Sequence, residues 1–143
     1  MNKNIKWFLG ILIAVVSFAA NPHGPLGGFW RPDSISPDPT SLQLPFFILL
    51  NIFESLTFAT AVILLIFHFP KKPLVPLSLA QTQRAFLCLL WFLGNWWAHD
   101  TLHVHIGMNL QSLLYIEYGF HLTMMITAVY LLWVANKLFS SKK

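Results

Sequence analysis

Side chains able to do acid–base or ligand chemistry are few in this 143-residue chain, and most fall within apolar stretches. Glu54 lies inside one such stretch, His99, Asp100, His103 and His105 close a second, and Glu117 and His121 lie in a third. Asn95, His99 and His103 are spaced i, i+4, i+8, so on a helix they form one stripe. Glu117 and His121, also four apart, share a face, and Asn51, Glu54, Ser55 and Phe58 form a third stripe. Ionisable groups in an apolar span are costly and turn toward a bundle interior, a cavity or a partner. The economical arrangement has the three stripes facing one another, each glutamate paired, protonated or bound to a metal.

Three chemistries fit these residue types. The first is a metal site: two histidines at i, i+4 can chelate one ion, as in His-Glu-x-x-His motifs, and here Asp100 stands where such motifs carry Glu. His99, His103 and His121 would be nitrogen ligands and Glu117 and Glu54 oxygen ligands, a mixed shell suited to iron, zinc or copper in a redox or catalytic role. Asp100 would act as the catalytic base or, like Asn95, orient an imidazole from behind. The second is a b-type haem between His99 or His103 and His121, walled by Trp91, Trp96 and Trp97. With one cysteine, Cys88, no Cys-x-x-Cys-His run exists, so covalent haem attachment is excluded. The third needs no cofactor: a proton relay of a transporter, or acid–base catalysis on a lipid-soluble substrate.

The run from His99 to His105 resembles one histidine box of the membrane fatty-acid desaturases. The likeness covers seven residues, and those enzymes use several boxes. The Glu-x-x-His pairs of ferritin-like di-iron bundles have a different spacing from Glu117 and His121.

Plainer roles are set beside these. A single histidine in a membrane helix often only bridges helices, for about 1 kcal/mol. His103 and His105 lie close to an interface, as do His68 and His23. Trp96 and Trp97 suit an aromatic belt, while Met124, Met125 and Cys88 suit packing. The convergence of several ionisable groups, more than any one of them, points to function.

The elements that must position these groups follow from composition. The chain is 56% hydrophobic and only 10% charged, with a mean hydropathy of +0.62. That excludes a disordered chain, a disulfide scaffold and an ordinary soluble enzyme. A helix crosses the bilayer in roughly 17–25 apolar residues. Four candidate spans run over about 5–20, 44–69, 84–105 and 112–139, joined outside by a long loop over 21–43. The first can also be read as a cleaved secretory signal, with Lys3 and Lys6 ahead of an apolar core and small residues near Ser17. Pro45 suits the first turn of the second span and Pro70 its end, Gly107 a stop for the third, and Asn109 or Ser112 a cap for the fourth.

Lys3, Lys6, Lys71, Lys72, Arg84, Lys137, Lys142 and Lys143 then share one side, and only Arg31, beside Asp33 and Asp38, marks the other. The positive-inside rule makes both termini cytoplasmic. The formal charge of +4 therefore reads as topology rather than affinity for nucleic acid. Lys71-Lys72 alone is too short for a lipid-binding cluster of about 4–8 basic residues. In the outer loop Phe29 and Trp30 suit the headgroup region. The expectation is an all-α integral membrane protein: one domain over 1–143, four transmembrane helices in an antiparallel bundle, and a His/carboxylate site in its outer half. Its partners would be the lipid bilayer, a lipid-soluble substrate or a larger membrane complex. It would be multi-pass, in the cell (inner) membrane if bacterial.

Overall fold

The computed structural model describes residues 2–22, 24–29, 39–107 and 109–141, all-helical with no strand among them. Among the described residues there are four helices: α1 (Lys3–Ala20), α2 (Leu44–Phe67), α3 (Leu79–Ile106) and α4 (Leu110–Ser140). A single 3-10 turn, Gly27–Phe29, follows α1. Trp30, Arg31, Asp33, Asp38, His23, Lys142 and Lys143 lie outside the described residues.

Local chemistry sets the ends. Asn2 caps α1 by accepting from the Asn4 amide at 3.2 Å. Pro45 sits in the first turn of α2, where its missing N–H costs nothing, and α2 ends at Phe67, ahead of Pro70. α3 starts five residues before the expected Arg84, because Ser78 and Gln81 form a capping box. The Ser78 hydroxyl accepts from the Gln81 amide at 3.2 Å, and the Gln81 side chain accepts from the Ser78 amide at 2.9 Å. Gly107, with φ of 54°, stops α3 as expected. Asn109 caps α4 by accepting from the Ser112 amide at 3.0 Å.

α1, α2 and α4 are long and apolar enough to cross a membrane. α3, although 28 residues long, is not one of the three. Gln81, Gln83, Arg84, Asn95, His99, Asp100, His103 and His105 dilute its apolar content. The four expected spans are thus four helices, and the one rich in ionisable groups falls short on hydropathy.

Burial is reversed relative to a soluble fold. Large apolar side chains such as Phe46, Phe53, Ile126 and Leu132 are exposed, while Ser17, Asn21, Glu54, Ser55, Asn95, Thr101 and Thr127 are buried. Small and polar interhelical contacts are the pattern expected where lipid covers the outside. Phe58 meets Trp97 at 4.8 Å between centroids, and Phe69 meets Phe86 at 5.8 Å, so the residue number rises along α2 as it falls along α3. Two polar contacts fasten α1: Asn21 Nδ2 donates to Asn51 Oδ1 at 2.6 Å, and Trp97 Nε1 donates to the Ser17 carbonyl at 3.0 Å. Trp97 is therefore an internal fastening, not the belt anchor its sequence position suggested.

Next to Phe58 on α2, Ala61 faces Gly94 of α3. A methyl on Gly94 would stand 3.4 Å from Ala61 Cβ, already in van der Waals contact. Gly94→Leu is therefore expected to wedge α2 from α3 and lower stability by about 1–3 kcal/mol. The check is the thermal midpoint of the purified protein in detergent; an unchanged midpoint would show that the two helices do not meet there.

Candidate functional site

The site is assembled from α2, α3 and α4, each bringing one of the polar stripes. Glu54 is buried at 5% exposure on α2. α3 contributes His99, Asp100 and His103 from its C-terminal turns. α4 contributes Glu117 and His121, and it does so from a break in regularity: Glu117–Leu122 is a π-helical segment. Such segments are rare and are found frequently at functional sites, because the wider turn re-aims side chains and loosens carbonyls. The Thr123 hydroxyl lies 2.5 Å from the Gly119 carbonyl and 3.0 Å from the Phe120 carbonyl, so its one proton is shared between two acceptors of the widened turn.

The stripes meet in a continuous run of polar contacts. Glu54 and Asp100 lie close enough for their carboxyl groups to interact. Asp100 Oδ1 lies 2.7 Å from His99 Nδ1, and His99 Nε2 lies 3.1 Å from His103 Nε2. Two imidazole nitrogens at that distance need one proton between them. His103 Nε2 is 3.6 Å from Glu117 Oε1, and Glu117 Oε2 is 2.5 Å from His121 Nδ1. The rings close on themselves as well, with His99 and His121 centroids 4.8 Å apart. Phe120 and Trp96 present aromatic edges at 5.5 and 6.4 Å from His99, and Trp91 stacks on Phe120.

Exposure is graded through the run. His99 is 12% exposed and His103 29%, while Glu117 and His121 reach 42% each. Asp100, at 37%, gives a second opening beside buried Glu54. The cluster therefore has an enclosed middle and two outlets. On the enclosed side three side-chain oxygens have no hydrogen-bond partner among the described residues: Glu54 Oε2, Ser55 Oγ and Thr101 Oγ1.

All six residues singled out for chemistry (Glu54, His99, Asp100, His103, Glu117, His121) thus lie in one contact network. Asn95 does not serve as the imidazole's support. Fully buried, it donates from Nδ2 to Met124 Sδ at 3.0 Å, and Asp100 takes the orienting position on His99. Little in the residue pattern foreshadows the π-helical turn; Gly119, at its centre with open space around it, is the nearest signal.

Among the described residues, no group of three or more His, Cys, Asp or Glu side chains is placed to hold a metal ion. No known protein family, curated protein or solved structure matches the chain.

Proposed function

We propose that this chain is a multi-pass membrane protein whose His/carboxylate cluster binds and releases protons, serving a proton-coupled transport process or a larger membrane complex. In this reading the chain crosses four times as an antiparallel bundle with both termini cytoplasmic, and the cluster sits in the outer half. The observation that supports it is the run of close groups from Asp100 through His99, His103 and Glu117 to His121, with buried Glu54 beside Asp100.

The residues divide the work by their atoms. His99 engages a neighbour through each ring nitrogen, so a proton accepted at Nε2 releases one from Nδ1 to Asp100. His103 handles both of its contacts at Nε2, and Glu117 uses one oxygen toward each imidazole. Glu54, deepest of the six, is the store at the end of the run. Loading and unloading retrace one path, so the His99 tautomer is restored without a ring flip. Aromatic walls lower the local dielectric and strengthen each contact.

One observation favours a metal as the second reading: His99 and His103 direct Nε2 at each other at 3.1 Å. A transition-metal ion with bonds of about 2.0–2.1 Å to each imidazole would replace the proton between them. Glu117, at 3.6 Å from His103 Nε2, would be a further donor, and iron, zinc or copper would suit that set. A haem b between His99 and His121 is less favoured, since a macrocycle would have to push apart rings that are now in contact.

The test is proton uptake by the protein in lipid nanodiscs between pH 5 and pH 8, followed with an indicator dye. Glu54→Gln removes no histidine, yet is expected to alter uptake because the cluster shares its protons. Identical curves for the two proteins would overturn the proposal. Stoichiometric iron, zinc or copper in the same preparation, lost in His99→Ala, would establish the second reading instead, and a haem absorption band would establish the third.

A further inference from the structure

A groove of about 550 Å³ lies between α1 and α2 and shares no residue with the cluster. That volume is within the roughly 300–1,000 Å³ of sites that hold small organic ligands. Its walls are apolar because small residues leave it open and because its one hydroxyl is occupied. Gly10 and Ala59 supply no bulk, a methyl on Gly10 would stand 3.6 Å from Ile63, and the Thr60 hydroxyl donates to the Leu56 carbonyl at 2.7 Å.

The polar groups of the groove gather at one end. Lys3 and Lys6 from the start of α1 and His68 from the end of α2 line it together. Lys6 Nζ is 5.4 Å from the Phe67 ring centroid, which holds the ammonium over the groove end of α2. Lys71 and Lys72 follow His68 within four residues. No acidic residue occurs before Asp33 or between Glu54 and Asp100, so no carboxylate of the neighbouring sequence stands beside these cations. The pair Lys71-Lys72 falls short of a lipid-binding cluster in sequence, and the fold brings Lys3 and Lys6 to the same end of α2.

We propose that this groove binds one anionic phospholipid, its acyl chain along Gly10, Ala59 and Ile63 and its phosphate on Lys3, Lys6 and His68. Basic pockets between transmembrane helices at the cytoplasmic surface bind phosphate headgroups in this way. A free phosphate would use the cations and leave the apolar walls empty; a zwitterionic lipid would use the walls and gain nothing from the lysines. The site is independent of the proton-binding reading of the cluster.

Native mass spectrometry of the full chain, released from micelles holding equal phosphatidylglycerol and phosphatidylcholine, tests it. One bound phosphatidylglycerol is expected in preference to phosphatidylcholine by about 10–30-fold, the weight of two lysines at a membrane surface. The double variant Lys3→Gln, Lys6→Gln is expected to bring the ratio to about one, because those lysines carry the preference. Gly10→Leu fills the groove with the lysines intact and is expected to remove the adduct. Equal retention of the two lipids by the unaltered chain, a preference that survives both variants, or displacement of the lipid by inorganic phosphate would each overturn the proposal.

Discussion

Glu54→Leu is expected to make the protein more stable while abolishing proton exchange at the buried end of the cluster. Glu54 is 5% exposed, and one of its carboxyl oxygens has no partner. Removing a water shell from a carboxyl without giving each oxygen a hydrogen bond costs free energy, and a leucine of similar volume carries no such cost. Replacing whole buried ion pairs by well-packed apolar residues is often neutral or stabilising by about 1–4 kcal/mol, and a gain at the lower end of that range is expected from removing this one partly unsatisfied carboxyl. Asp100 keeps its contact with His99 at 2.7 Å, so the substitution leaves no second group stranded. The thermal midpoint in detergent checks the stability half and proton uptake the other. A fall in the midpoint would show that Glu54 is a structural fastening between α2 and α3, and the functional reading of its burial would fail.

The second large effect is expected at Glu117. Its two oxygens brace His121 at 2.5 Å and His103 at 3.6 Å, from the first position of the π-helical segment. Wider turns form poorer backbone contacts and persist where the surroundings hold them. Glu117→Ala removes the brace and frees both rings. Amide exchange across Glu117–Leu122 is then expected to quicken by about 10–100-fold, equivalent to the loss of one or two charge-assisted hydrogen bonds discounted for their exposure. Hydrogen exchange read by mass spectrometry measures this directly. Unchanged protection would mean that the segment is held by its own backbone and that Glu117 is incidental to it.

The polar pattern carried much of this in advance, for a physical reason. Charge is so expensive in an apolar span that each of Glu54, His99, Asp100, His103, Glu117 and His121 had to find company, and helical spacing limited which faces they occupied. Their meeting in one network follows from that constraint. Apolar length likewise located α1, α2 and α4. The start of α3 was missed because Ser78 and Gln81 look like loop residues until their reciprocal caps are seen.

Pairing across helices was not legible. Asn95 shares a stripe with His99, yet it packs on Met124, because a stripe fixes direction and says nothing of what the next helix presents. The π-helical turn has no periodic signature over six residues, so the aim of Glu117 and His121 emerges only from the fold. The lipid groove was invisible for a similar reason: Lys3, Lys6 and His68 are some sixty residues apart in sequence and belong to two helix ends.

The central claim is that the six side chains behave as one proton-sharing unit. Infrared titration of the protein in nanodiscs tests it most directly, with the carboxylic-acid band of the Glu54–Asp100 pair identified by its loss in Glu54→Gln. The account predicts that Glu117→Gln, at the far end of the run, displaces the titration midpoint of that band. It predicts no displacement when His99→Gln has already cut the connection, the non-additivity expected of groups in one network. A midpoint indifferent to Glu117 in the unaltered background would contradict the account, leaving a set of neighbouring residues that titrate alone.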